Sequence, residues 1–256
     1  SFCRRMDALS PTPADAPGAP AAPDVSIIVP ALNEEDTIGE VIDRLLALPM
    51  QAEVIVVNDG SDDRTGEILA SYGDQIRVLT NPRRTGKGNA IRKALAVATG
   101  RVVVIQDADL EYVPEELAQL IQPILAGQHT VVYGTRFAKG LVNGMALPNK
   151  LVNLMLRWAV ALLYGRKITD EATCYKAVKR DVMNEMNLEC ERFEFCPEVT
   201  AKAIRLGHRI HEVPITYVPR GKQAGKKIRW TDAPEAFWTL LRWRFRPFQT
   251  PKAHKK

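Results

Sequence analysis

An α/β fold with a mostly parallel sheet covered by helices is predicted by two observations. Short apolar runs alternate with segments whose apolar residues recur at helical spacing from Val25 to Tyr133, and strands joined through such helices pair in parallel by right-handed crossovers. Polar residues follow directly on three of those runs: Asn33 and Glu34, then Asp59, then Asp107 and Asp109. In sheets of this kind ligands bind outside the carboxyl ends of the strands, so these residues mark a candidate site.

The elements follow in order. Residues 1–23 carry Pro11, Pro13, Pro17, Pro20 and Pro23 among alanines, with no apolar stretch of signal-peptide type, and read as a flexible tail; folding is expected to begin near Asp24. Val25–Val29 is a continuous apolar run, hence a buried strand, and Ile38, Val41, Ile42, Leu45 and Leu46 mark the helix after it. Glu53–Val57 repeats the strand, and the turn-forming NDGSDDRT leads to a helix around Glu67–Ser71. A strand at Ile76–Leu79 gives way to RRTGKGNAIRKALAVATG, a glycine-containing loop and a helix closed by Gly100. Val102–Gln106 is the next strand, followed by a helix over Pro114–Leu125 and a strand over Thr130–Tyr133. Past residue 140 the alternation is lost. Leu151–Tyr164 reads as a helix, Ala172–Val178 as a strand, and Glu198–Leu206 as a helix ended by Gly207. His211–Val218 reads as a strand that Pro214 places at an edge, and Ala233–Arg244 as a last helix bearing Phe237, Trp238, Leu240, Leu241 and Trp243.

Composition narrows the classes. At 256 residues and 46% hydrophobic content the chain buries a core of one large domain, or of one domain with an appended lobe, which excludes disorder throughout. The net charge of +5 is concentrated late in the chain, in Arg220, Lys222, Lys226, Lys227, Arg229, Arg242, Arg244 and Arg246, which favours an anionic partner: a phosphate ester, a membrane surface or a nucleic acid. Cys3, Cys174, Cys190 and Cys196 form no CxxC pair and read as free thiols of a reducing compartment. His208 and His211 have no acidic or thiol ligand nearby in sequence and read as polar residues entering a strand rather than as a metal site. No apolar run reaches the roughly 18 residues of a membrane span, and the nearest, Leu151–Tyr164, is interrupted by Asn153 and Arg157, so a soluble or peripheral protein is expected. Neither GxGxxG nor GxxxxGK[ST] is present, which disfavours a dinucleotide dehydrogenase and a P-loop NTPase.

The most informative stretch is VVVIQDADLE. On a strand, alternate side chains share a face, so Asp107 and Asp109 would form one hard-oxygen site, able to hold a divalent ion that neutralises a diphosphate. The same pair also suits a strand-ending turn. Gly86-Lys87-Gly88 has the composition of a phosphate cradle, but as a single short motif it reads as the turn before a helix.

Taken together, SIIVPALNEEDTI, VVNDGSDDRT, NPRRTGKGNAIRKAL, QDADLEYVPEEL, GTRF, TDEATCYKAVKRDV, FEFCPEV and VPRGKQAGKKIRWTD occur in that order over residues 25–232. In them the chain resembles the family 2 glycosyltransferases of GT-A fold, and more narrowly the dolichyl- or polyprenyl-phosphate sugar synthases. The resemblance implies an inverting enzyme that moves a hexose from a UDP- or GDP-linked sugar to a polyprenyl phosphate. It implies that Pro30, Leu32, Glu34, Val57 and Asp59 hold the nucleotide base and ribose, and that Asp107, Ala108 and Asp109 meet the diphosphate and its Mg²⁺ or Mn²⁺, with Glu111 completing the ion's shell. Arg136, Arg220 and Lys226 match basic positions that contact phosphates in these synthases. Residues 24–139 would then be the nucleotide-sugar half, 140–246 the acceptor half of the same domain, and 247–256 a basic tail.

Two departures are visible. Glu111 stands where these synthases often carry glutamine, and TDEATCYK replaces the more usual Ser-Asp-Pro-x-Ser-Gly of the acceptor region. Asp109 is the first catalytic candidate through the leaving-group ion. Asp170 is the second, as the base for a hydroxyl acceptor or as an orienting group for a lipid phosphate, which needs no strong base; a turn or N-cap residue is the alternative for it. The loop Arg220–Lys227 reads as a lid over the diphosphate. The helices at Leu151–Tyr164 and Ala233–Arg244 suit either core packing or a bilayer surface, so the expectation is a cytoplasmic protein able to sit on the cytoplasmic membrane face. The rival readings are a glycosyltransferase with a soluble hydroxyl acceptor, a sugar-nucleotide pyrophosphorylase, which would open with a GGxGTR loop absent here, and a nucleic-acid-binding domain, which an acidic site disfavours.

Overall fold

The computed structural model describes residues 22–138, 147–219 and 233–248. Seven strands form one sheet in the order β3-β2-β1-β4-β6-β5-β7: β1 Val25–Ala31, β2 Ala52–Asn58, β3 Arg77–Thr80, β4 Val102–Ile105, β5 Val131–Thr135, β6 Lys176–Lys179 and β7 Ile210–Pro214. The helices are α1 Ile38–Leu46, α2 Thr65–Ala70, α3 Lys87–Leu95, α4 Leu117–Leu125, α5 Leu147–Tyr164, α6 Arg180–Glu185, α7 Phe195–Arg205 and α8 Ala233–Phe245. Pairing is parallel from β3 through β4 and between β5 and β7, whereas β6 runs antiparallel to both β4 and β5. The β-branched runs of β1, β2 and β4 are buried on both faces, as a helix-covered parallel sheet requires. The strand carrying Pro214 is an edge, where a missing N–H costs no ladder bond.

A second, smaller core unites Leu156 and Val160 of α5, Ile168, Ala201 of α7, and Leu240 and Trp243 of α8. Its buried ion pair reaches toward the site: Glu198 accepts from Lys202 Nζ at 2.5 Å and from the amides of Glu189 and Cys190 at 2.8 and 2.7 Å, which fixes the start of the 189–194 loop.

One local expectation is corrected. The third helix stops at Leu95, so Gly100 is not its cap; Gly100 is needed because a Cβ there would overlap the Ser26 amide where the chain turns into β4. The short helix α6 has no sequence signature, since six residues cannot display a helical period.

The same turn hangs on Glu53, whose Oε1 accepts from Ser26 Oγ at 2.6 Å, Thr99 N at 2.6 Å, Thr99 Oγ1 at 2.8 Å and Gly100 N at 3.1 Å. Burial works against ionisation, but these donors outweigh it and hold the carboxyl below its ordinary value of 4.5. A depressed carboxyl contributes stability present above its unfolded pKa and lost as pH falls through the folded one. Glu53→Gln should therefore cost about 1 kcal/mol at pH 7, after allowance for partial exposure. Urea melts should show the gap to wild type closing as pH drops below 4.5.

Candidate active site

A cavity of about 380 Å³ opens at the carboxyl ends of β1, β2 and β4. Pro30, Leu32, Glu34, Asp59, Asp107, Ala108 and Asp109 line it together, so three separate strand ends converge on one space. Val57 is not among the lining residues; it lies fully buried inside β2, paired with Pro30 and Leu79. Sequence reading missed Ala31, Arg84, Thr85, Ala90, Arg192 and Phe193 of the lining, and set Gly86 and Lys87 aside as a turn. Lys87 and Phe193 had a signal, in GKG and in FEFCPEV; Arg192 had none.

Asp59 organises one wall. Its Oδ1 accepts from Asn81 Nδ2, Thr85 N and Thr85 Oγ1 at 2.8, 2.9 and 2.6 Å, and its Oδ2 from Gly86 N at 2.8 Å. The loop before α3 is thus tied to the end of β2. Gly86 sits at φ 103, a conformation open to glycine, and backs onto the Glu191 carbonyl. Gly88 N and Asn89 N donate to the carbonyls of Arg192 and Glu191 at 2.8 and 2.9 Å, so the second and third amides of α3 are satisfied by protein rather than left for an anion. The GKG segment is therefore part of the site, and more than a turn before a helix.

Asp107 and Asp109 do not lie on the strand. The ladder ends where Gln106 N meets Ile28 O at 2.9 Å, and the chain then turns, with Leu110 at φ 57. Strand alternation consequently does not place the two carboxylates. The turn does, aided by Glu111 N donating to Asp109 Oδ1 at 3.1 Å and by Thr37 Oγ1 donating to Ala108 O at 2.7 Å. A left-handed leucine costs about 1–3 kcal/mol and is the kind of strain that functional loops retain. Lys87 Nζ donates to Asp107 Oδ1 at 2.5 Å and to Cys174 Sγ at 3.4 Å. Burial works to lower the Lys87 pKa, but Asp107 and the nearby thiols outweigh it and hold it well above its ordinary value.

Glu111 accepts from the Tyr217 hydroxyl at 2.8 Å, and Tyr217 in turn lies 5.1 Å from the Arg136 guanidinium carbon. Among the described residues no three histidine, cysteine, aspartate or glutamate side chains gather around one point, so the three-carboxylate shell with Glu111 is not assembled. What the cavity does offer is two hard carboxylates, one of them already carrying the Lys87 ammonium. That set fits Mg²⁺ or Mn²⁺, which take one or two carboxylates and fill their remaining positions with water and phosphate oxygens.

Arg136 and Asp170 form a buried bidentate pair. Arg136 Nε and the second guanidinium nitrogen each reach an Asp170 oxygen at 2.7 Å, and Arg136 N adds a third bond at 3.0 Å. Asp170 is 0% exposed and Arg136 is no surface residue. Burial would lower the Arg136 pKa, but Asp170 outweighs it and raises the pKa well above its ordinary value, so the guanidinium stays charged. Glu212 of β7 fixes the turn bearing Asp170, accepting from Thr169 N at 2.9 Å and Asp170 N at 3.1 Å.

Beside Phe137 an apolar slot of about 210 Å³ is lined by Leu147, Lys150, Leu151, Asn153, Leu154 and Arg157. Arg157 Nε is buried without a hydrogen-bond partner among the described residues. The slot opens on a stripe of α5 that faces solvent, where Trp158 is 69% and Leu162 87% exposed, and α8 adds Trp238 and Phe245 at 62% and 72%. Both helices also contribute to the small core, so each has two apolar sides. Arg220, Lys226 and the expected lid lie outside the described residues. No helix among the described residues is long and apolar enough to cross a membrane. His208 and His211 are taken by local partners: His208 Nδ1 is 3.1 Å from Thr130 Oγ1, and His211 stacks on His129 at 4.1 Å.

The model of the family described as "Glycosyl transferase family 2" matches residues 26–186. Glycosyltransferase AglD of Haloferax volcanii is 30% identical over 216 residues, covering 78% of this chain but 34% of that protein. The chain thus spans about a third of that relative. Polyprenol monophosphomannose synthase of Mycolicibacterium smegmatis is 28% identical, with 86% of each chain covered. Among solved structures, glucosyl-3-phosphoglycerate synthase from Mycobacterium tuberculosis, in complex with Mn²⁺, UDP-glucose and phosphoglyceric acid, superposes with a TM-score of 0.69 at 24% identity, covering 89% of this chain and 82% of that one. At that identity the likeness shows a shared GT-A fold.

Proposed function

Because this chain belongs to glycosyl transferase family 2, we propose that its cavity binds a UDP- or GDP-linked sugar with a divalent ion and that it transfers the hexose, with inversion, to a polyprenyl phosphate. The observation that carries the acceptor class is the apolar slot lined by α5 and by Phe137, the residue that follows Arg136, with the exposed stripe on the same helix. A phosphate on an isoprenoid chain needs both a fixed cation and an apolar path, and Arg136 with the slot offers both. The relative matched over 86% of both chains is named for a polyprenol product, which agrees with this reading.

Displacement at an anomeric carbon requires the nucleoside diphosphate to leave with its charge stabilised. Asp107 and Asp109 would hold the ion, which when bound neutralises the developing charge on the leaving group. Pro30, Leu32 and Glu34 line the nucleotide end, and Asp59 keeps the Thr85–Lys87 loop against it. A phosphate acceptor is already an anion at neutral pH, so no residue has to remove a proton from it. Asp170 then acts by holding Arg136 toward the acceptor phosphate, since both its oxygens are engaged by that guanidinium. Arg157 supplies a further donor within the slot.

The exposed Trp158, Leu162, Trp238 and Phe245 would enter a bilayer surface while Arg166, Lys167, Arg242 and Arg244, all exposed, meet anionic headgroups. The chain should bind phosphatidylglycerol-containing liposomes at low salt and release them as ionic strength rises through the screening range, with Trp158→Ser weakening the binding. A panel of UDP- and GDP-hexoses with Mg²⁺ or Mn²⁺ should release nucleoside diphosphate only when a short-chain polyprenyl phosphate is supplied. Efficient transfer to glycerate or a monosaccharide instead, without liposome binding, would replace the acceptor and leave the donor chemistry standing.

A further inference from the structure

Resting on the donor-site reading, we infer that the Lys87–Asp107 ion pair makes divalent-ion and nucleoside-diphosphate binding cooperative through an exchange of partners. The pair is short, 2.5 Å, and its side chains are only 17% and 15% exposed. Both residues line the donor cavity. A bare dication arriving at Asp107 must displace the Lys87 ammonium and leave it unpaired beside added positive charge. A bare diphosphate must draw Lys87 away and leave Asp107 unpaired beside added negative charge. Either arrival alone strands a largely buried charge, which is costly. Arriving together, the ion takes Asp107 and a phosphate oxygen takes Lys87, so no charge is stranded.

Two features keep the exchange from being bypassed. The backbone at Lys87 is held by the bonds from Thr85 and Gly86 to Asp59, so only the flexible lysine side chain is free to change partners. The amides of Gly88 and Asn89 are already used by the Arg192 and Glu191 carbonyls, so those two amides of α3 cannot take the diphosphate in place of the Lys87 side chain. Each ligand then lowers the cost of the other, and the coupling is reciprocal.

The test is Mn²⁺ binding to the full chain by electron paramagnetic resonance, alone, with UDP and with GDP. In wild type, the nucleotide that binds should tighten Mn²⁺ by about fivefold or more. Lys87→Met should bind Mn²⁺ alone more tightly than wild type and lose most of the enhancement by nucleotide. Lys87→Arg keeps the charge and should keep the enhancement. Wild type that binds Mn²⁺ equally with and without nucleotide overturns the exchange, as does Lys87→Met with unchanged affinity for the ion alone. Should Lys87→Met not fold, the wild-type comparison still decides. Wild type that binds Mn²⁺ with neither nucleotide fails the donor-site reading itself, and the exchange with it.

Discussion

Asp109→Asn should lower kcat by at least about 100- to 1000-fold while leaving the melting temperature within a degree or two, the loss expected when one preorganised charge-stabilising group is removed. The substitution keeps the shape of the turn, because an asparagine oxygen still accepts the Glu111 amide that Asp109 Oδ1 accepts at 3.1 Å. It removes one of the two carboxylates available to the ion. Steady-state kinetics with saturating donor and Mn²⁺, run beside a thermal melt, measure both halves of the expectation. Turnover within tenfold of wild type would remove Asp109 from the catalytic set.

Asp170→Asn should act differently, through the fold as well as the chemistry. Arg136 is charged and buried, and its only acidic partner among the described residues is Asp170, so neutralising that partner strands a guanidinium at a cost of about 3–5 kcal/mol. Arg136→Met combined with Asp170→Asn removes both charges and should recover most of that stability, yet transfer should remain lost because the acceptor phosphate has no cation. Chemical denaturation of the single and double variants gives the first quantity, and transfer to polyprenyl phosphate the second. A stable Asp170→Asn protein whose activity is lost with a shifted pH profile would instead point to Asp170 as a base.

The donor half was legible because its signals are local. Val25–Val29 and Glu53–Val57 announce strands by composition, and the polar residues at their ends land in the cavity because a parallel sheet aligns its carboxyl ends. What failed there was short-range detail: Asp107 and Asp109 were expected to share a face by strand alternation, but the strand has already ended at Ile105. The acceptor half was less legible because its pairings are long-range. Arg136 and Asp170 are brought together by β5, β7 and the turn that Glu212 holds, none of which sequence spacing reveals. The solvent-facing stripe of α5 was ambiguous for another reason. Leu156 and Val160 point to the core while Leu154, Trp158 and Leu162 point outward, and a helix apolar on two sides carries no periodic mark of which side is covered.

The tight seam between the loop preceding α3 and the 190–192 backbone bears on how this pocket can diverge. A methyl group at Gly88 would lie 2.8–2.9 Å from backbone atoms of Cys190 and Glu191, and one at Gly86 would overlap the Glu191 carbonyl, so neither glycine has a neighbouring sequence to move into. Arg84, Arg192 and Phe193 line the same cavity with side chains, which can change without a Cβ being added to the seam. Changes in donor preference, whether by natural drift or by directed evolution, are therefore channelled into those three rim side chains, while the glycine seam stays invariant and keeps the lysine between them in register.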